Sequence, residues 1–406
     1  MTATRLGPDA SAADIRVLAP APASLEQDVR MILEDVRTRG DDAVRDYTSD
    51  FDGVELGDLR VPLEQLDAAP GTLEPAVLEA LGVAIANVSA VAEAQLREPL
   101  SIELPQGQLV EIAEPPVRRA AAYVPGGRAA YPSTVVMCAV TARAAGVEEL
   151  AVCAPPGPDG MVHPAVLAAC SLCGVTEVYA MGGAQAIAAL AYGTESVPAV
   201  DVIVGPGNSY VQEAKRQLVG RIGIDSVAGP SELVVVASRG ADPGLVAADL
   251  MAQGEHGPDS LVAALSPDTA LLDEIEAALG GAAAALVETR DVPAAVALAD
   301  ELAPEHLQLM GAEAEALADT VRFAGCLFVG ADAGTAFGDY VAGSNHVLPT
   351  GGAARFAGAL GPSTFRRRMS RVSLPPGAAA RLAPAGAALA RAEGFPKHAE
   401  SMERRA

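Results

Sequence analysis

Between about residues 118 and 237 short β-rich runs alternate with Ala-rich helical ones, and nothing else in the chain restricts the fold so tightly. Strand candidates are Ala120–Val124, Leu150–Ala154, Glu177–Ala180, Val202–Val204 and Leu233–Ala237, with helices opening near Ser133, Pro164, Ala184 and Asn208. Strand, helix and strand in succession build βαβ units with right-handed crossovers, hence a parallel sheet. The alternation resumes after Asp242, with a helix over Pro243–Gln253, a strand at Leu261–Leu265, helices at Thr269–Leu279 and Pro293–Glu301, and a strand at Cys326–Val329. A second α/β unit is expected. Ahead of both, Val29, Ile32, Leu33, Val36 and Val44 recur at helical spacing between Leu25 and Arg45. Behind them Ala378–Ala392 reads as a helix broken at Pro384 and isolated from any sheet, a C-terminal arm able to cross to another subunit.

The 406 residues exceed what one core fills, roughly 250–300. Half are hydrophobic, yet Trp is absent and aromatics make up 3%, so the cores must be built from Ala, Val, Leu and Ile. Few aromatics and a formal net charge of −24 exclude nucleic acid, which needs clustered cations or stacking platforms. The N-terminus lacks the basic and apolar regions of a signal peptide, and no apolar run of roughly 18 residues is evident. A cytoplasmic protein without membrane contact is expected. Five cysteines, an odd number, fit reduced thiols; Cys170 and Cys173 form a C-x-x-C pair with no second pair to complete a metal site.

Three glycine turns close predicted strands and open predicted helices: Tyr123–Gly127, Met181-Gly182-Gly183-Ala184-Gln185 and Gly205-Pro206-Gly207-Asn208. Such turns bring backbone N–H groups toward an anion at the positive end of a helix, and ligands of open α/β sheets lie beyond the carboxyl ends of the strands. A nucleotide or other anion is expected there, although the dinucleotide motif G-x-G-x-x-G is absent.

Four of the five histidines fall in short polar motifs. His256 follows Gln253-Gly254-Glu255, His306 follows Glu305, His346 closes Gly338–Asn345 with Asp339 inside it, and His398 follows Glu393-Gly394-Phe395-Pro396-Lys397. Imidazole, carboxylate and carboxamide together make a ligand set that zinc accepts with positions left for substrate. Gln253 and His256 can share a helix face, whereas Glu305 and His306, if extended, project to opposite sides. Asp339 reads as a free carboxylate in a glycine-flanked loop, and His346 alone would pass for a surface residue. His163 has no such company and no role is assigned to it.

Along nearly its whole length the chain resembles the histidinol dehydrogenase family. The resemblance runs through Val36–Asp41, Phe51-Asp52-Gly53, Tyr123–Gly127, Val202–Asn208, Gly223-Ile224-Asp225, Ala228-Gly229-Pro230-Ser231-Glu232, Glu305-His306, Asn345–Thr350 and Glu393–His398. It implies a homodimer with composite active sites, one zinc ion per site, and NAD-dependent four-electron oxidation of L-histidinol to L-histidine through bound L-histidinaldehyde. It further implies zinc ligands Gln253, His256, Asp339 and His398, an acid/base pair of Glu305 and His306, and NAD contacts at Tyr123, Gln185 and Asn208. Substrate contacts would be Ser231, His346 and Glu393 together with Gln253, His256, His306, Asp339 and His398. His398 and Glu393 would act in the partner's site. Gly254 and Gly257 depart from the family's pattern around the first ligands, and Pro396 disfavours a regular helix before His398.

The fold expected is α/β: two incomplete Rossmann-like parallel-sheet domains plus small helical N- and C-terminal segments. Residues 1–24 form the N-terminal segment, 25–122 with 232–360 the first domain, 123–231 the second, NAD-contacting domain, and 361–406 the arm. Two rivals remain open at this point: an NAD- and zinc-dependent dehydrogenase of a sulfonated diol, and a zinc- or nucleotide-binding protein without turnover. The latter would have no use for Glu305-His306, and Glu393 suits a cationic amine better than a sulfonate. No lysine or cysteine adjoins the histidine motifs except Lys397, so the aldehyde is expected to be held without a covalent tether.

Overall fold

Runs rich in Ala and Val become strands covered on both faces, which is why they read as continuous apolar stretches and not as alternating ones. The computed structural model describes residues 3–19, 24–126 and 129–406; Gly127 of the first glycine turn and residues 20–23 of the N-terminal segment lie outside the described residues. The chain forms two compact units, one comprising residues up to Ala94 with Arg118–Phe365, the other Gln95–Val117 with Arg366–Ala406.

The larger unit holds two parallel sheets. The first runs in the order Glu177–Ala180, Glu149–Ala154, Arg119–Tyr123, Val202–Val204, Gly223–Ile224. Its order turns around Arg119–Tyr123, so the crevice at that strand's carboxyl end is where such a sheet opens to a ligand. The second runs Thr4–Leu6, Ala285–Glu288, Leu261–Ser266, Glu232–Ala237, His306–Met310, Cys326–Val329. Alternate residues of Glu232–Ala237 feed separate cores: Val234 and Val236 pack with Val292, Ala295 and Leu309, while Leu233, Val235 and Ala237 pack with Val246, Leu250 and Leu272. Around the first sheet the core is filled by Ile187, Leu190, Ile203 and a row of alanines, as an aromatic-poor composition requires.

Several elements depart from the sequence reading. The segment from Leu25 to Arg45 is two helices, Glu26–Arg39 and Asp41–Asp52, because Gly40 has φ +59°, where a side chain would also run into Glu195. The N-terminal segment is not helical alone: Thr4–Leu6 extends the second sheet beside Ala285–Glu288 before the capped helix Ala12–Arg16. Pro75–Ala94 is a helix long and apolar enough to cross a membrane, overlooked because Glu79, Asn87 and Ser89 interrupt the run. It buries Leu81, Ala84, Val88 and Ala92, a row at helical spacing, and packs against the helix Pro132–Ala144.

The smaller unit carries an antiparallel sheet, Met369–Ser373, Leu109–Ala113, Leu100–Glu103, so the C-terminal segment is not isolated from strands. Its helix Ala378–Ala392 continues through Pro384, held by a buried alanine face that meets Ala399 and Met402 of the helix Pro396–Glu403. Pro396 starts that second helix at its first position, where the missing N–H would have no partner anyway.

Candidate active site

A cleft of about 860 Å³ opens in the larger unit. The carboxyl end of the first sheet supplies Tyr123, Pro125, Gly126 and Pro206–Ser209. The second sheet contributes from the amino ends of its strands, through Ser231, Ser260, Glu305 and His306. Expectation placed ligands beyond carboxyl ends; half of this cleft reverses that polarity. His256, Asp339, Tyr340 and His346 also line it.

Glu305 and His306 are buried. Instead of facing apart they meet, Glu305 Oε2 lying 3.6 Å from His306 Nδ1. The strand begins only at His306, which frees the Glu305 side chain to turn back and accept from the Glu232 N–H at 2.8 Å. His306 Nδ1 lies 3.1 Å from the Glu232 carbonyl, which can only accept, so Nδ1 carries the hydrogen and Nε2 is left as the basic atom. That Nε2 is 3.6 Å from Asp339 Oδ1. Burial pushes the Glu305 carboxyl up to about 7, against the pull of His306. Burial also disfavours the His306 imidazolium, but Asp339 and Glu305 outweigh it and the net shift is upward. For Asp339 burial is outweighed by His306, and its carboxyl sits below the ordinary range.

Asp339 belongs to the helix Thr335–Tyr340 and is engaged with His306, so it is not the free loop carboxylate that its glycine-rich surroundings suggest. His346 is likewise no surface residue: Nδ1 donates to the Asp339 carbonyl at 2.7 Å and Nε2 lies 3.2 Å from Thr134 Oγ1. Burial holds its pKa down. Gln253 lies in the last turn of the helix Pro243–Gly254, and His256, three residues on, lies with Nδ1 3.2 Å from the Gln253 carbonyl. Gln253 is 1% exposed, and neither its Oε1 nor its Nε2 has a partner. A buried carboxamide with both ends unpaired is costly unless something else satisfies it. Among the described residues no three His, Cys, Asp or Glu side chains cluster as a metal site. Glu393 and His398 lie in the smaller unit, where the His398 ring stacks on Phe395.

Of the three glycine turns, two line the cleft and the Met181–Gln185 turn does not. Tyr123 joins them all the same, its hydroxyl accepting from the Gly183 N–H at 3.2 Å. Gly205 has φ +112° and no room for a side chain against the Tyr123 carbonyl. The loop after it is clamped by a buried ion pair: Lys215 Nζ donates to the Gly205 carbonyl at 3.0 Å and to Asp225, while Asp225 Oδ2 accepts from the Gly205 N–H at 2.7 Å. Asn208 Oδ1 caps the following helix, accepting from Tyr210 and Val211 N–H groups at 3.1 Å. Gln185 is buried outside the lining, with Oε1 unpartnered.

Sequence reasoning missed Tyr131, Ser133, Thr134 and Asp259 in the lining, since isolated polar residues after a glycine turn carry no pattern. It also missed that Cys326 pairs with His306 in the strand ladder. Chain distance conceals such pairing. Burial raises the Cys326 thiol, and it raises Cys138, Cys153 and Cys170 too, with Cys173 pushed up to about 12; none is a ready nucleophile.

A cleft set against two parallel sheets, with a buried carboxylate beside an oriented imidazole, is the site of an α/β enzyme. The family model for histidinol dehydrogenase matches residues 19–406. A histidinol dehydrogenase of Parasynechococcus marenigrum is 45% identical over 393 residues, covering 93% of this chain and 90% of the relative. One from Synechococcus is 44% identical over 399 residues, covering 94% and 92%. The crystal structure of histidinol dehydrogenase from Elizabethkingia anophelis superimposes with TM-score 0.93 at 30% identity, covering 100% of this chain and 98% of that one. The chain belongs to the histidinol dehydrogenase family.

Proposed function

We propose that this enzyme oxidises L-histidinol to L-histidine through bound L-histidinaldehyde, with NAD and one zinc ion per site, in histidine biosynthesis. The observation that carries the reading is the buried Glu305–His306 pair at the cleft, with His306 fixed by the Glu232 carbonyl and Asp339. Gln253, His256 and Asp339 would hold zinc, with His398 of the partner subunit as fourth ligand; the unpartnered Gln253 carboxamide fits that task. Bound there, zinc supplies a Lewis-acidic anchor for the substrate's imidazole and amine, and NAD supplies the hydride acceptor.

The chain's own groups then divide the work. His306 Nε2 takes the hydroxyl proton in the first oxidation. Glu305, whose carboxyl titrates near neutrality, removes a proton from the water that adds to the aldehyde. Ser231 and His346 orient the substrate from the cleft, and Glu393 of the partner subunit pairs with its amine. Tyr123, Gln185 and Asn208 are the proposed NAD contacts; the turn that carries Asn208 keeps its shape through Gly205 and Lys215.

Charge favours L-histidinol over a sulfonated diol. Among the described residues the one Lys or Arg that lines the cleft, Arg216, is already bonded to Glu213, and Glu26, Asp259 and Asp339 line it as well. NADH formation followed with each compound tests the reading: turnover of L-histidinol is expected, and turnover of the sulfonated diol alone would replace it.

A further inference from the structure

Glu232 is 4% exposed and lies outside the cleft lining, yet it touches both members of the acid/base pair. Its N–H donates to Glu305 Oε2 at 2.8 Å, and its carbonyl accepts from His306 Nδ1 at 3.1 Å. Its carboxylate adds a third bond, Oε2 accepting from the Glu305 N–H at 3.3 Å. Oε1 accepts from Arg16 Nη1 at 2.8 Å and from the Gly351 N–H at 3.0 Å. Arg16 also donates to the Leu302 carbonyl, at the end of the helix that leads to Glu305. The approach is close enough that a side chain on Gly352 would begin 3.3 Å from Arg16 Nη2.

We propose that the Arg16–Glu232 pair is a positioning device for Glu305. A buried carboxylate stripped of its cation is costly, so the two hold as a unit or not at all. Together they tie the helix Ala12–Arg16, the start of the strand Glu232–Ala237, the segment before His306 and the turn at Gly351 around one carboxylate. The bond to His306 comes from the Glu232 main chain, so side-chain changes at Glu232 or Arg16 fall on Glu305 and spare the His306 bond. The inference rests on the division of work proposed above.

The test uses the full-length, zinc-loaded enzyme and reads the rate of aldehyde oxidation against that of alcohol oxidation at saturating substrate. That ratio does not depend on how much enzyme is folded. Glu232→Gln should lower it about tenfold with zinc content unchanged. Arg16 is partly exposed, and Arg16→Met should do the same while Arg16→Lys stays within about twofold of wild type. Equal loss of both rates in the Glu232 and Arg16→Met variants would assign the pair to folding alone and overturn the inference. Glu305→Gln, run in parallel, separates the two failures. If it lowers the ratio and the Glu232 and Arg16→Met variants do not, only the positioning role falls. If it leaves the ratio unchanged, the role given to Glu305 falls and the positioning role with it.

Discussion

The Gln253 side chain presents two amide atoms to a buried environment with no partner for either, beside a histidine whose Nδ1 faces the Gln253 main-chain carbonyl and which helps to hold the Asp339 carboxyl below its ordinary range. A set of so few ligands has none to spare. His256→Ala and Asp339→Ala are each expected to lose zinc and activity together, measured by metal analysis of the purified variants; full zinc content in both would remove them as ligands. The residue types and their motifs were legible in the sequence, because imidazole is rare here and concentrated beside amides and carboxylates. Their tautomers and partners were not. Glu232 stands in the motif Ala228–Glu232 with no task legible from it, and Arg16, 216 positions away, carries no signal at all.

Among the elements, four strands of the first sheet were readable almost to the residue, since a fully covered parallel strand is a plain apolar run bounded by turns, whereas the short edge strand Gly223–Ile224 was not. What the runs could not convey is polarity: the second sheet offers the cleft its amino ends. Nor could they convey how the feet of the strands are joined. Arg119, buried, donates to Glu149 at 3.1 Å and to Glu177, and Tyr179 donates to Glu177 at 2.5 Å, a network that fastens three adjacent strands. Burial opposes the Glu177 charge, but Arg119 and Tyr179 outweigh it and hold its carboxyl below the ordinary range. A carboxyl depressed in the folded state contributes stability above its unfolded pKa and loses it as pH falls through the folded value. Glu177→Gln is therefore expected to cost about 2 kcal/mol at pH 7, with the difference from wild type shrinking below pH 4. Urea midpoints at the two pH values decide it; a constant difference would mean that the charge plays no part.

At the scale of the whole molecule the larger unit carries the proposed acid/base pair and three of the proposed ligands, and the smaller carries Glu393 and His398. The homodimer proposed above lets one copy complete the other's site. His398→Ala and Glu305→Gln subunits, neither of which forms L-histidine at an appreciable rate alone, should regain part of that activity when mixed and refolded, because one of the two composite sites is then intact. No recovery despite proven subunit exchange would confine each site to a single chain. The central claim is that one site performs two successive oxidations on a substrate it does not release. With L-histidinol limiting and NAD in excess, the zinc-loaded enzyme should form two NADH and one L-histidine for each L-histidinol consumed; one NADH with free aldehyde in solution, or none at all, would contradict it.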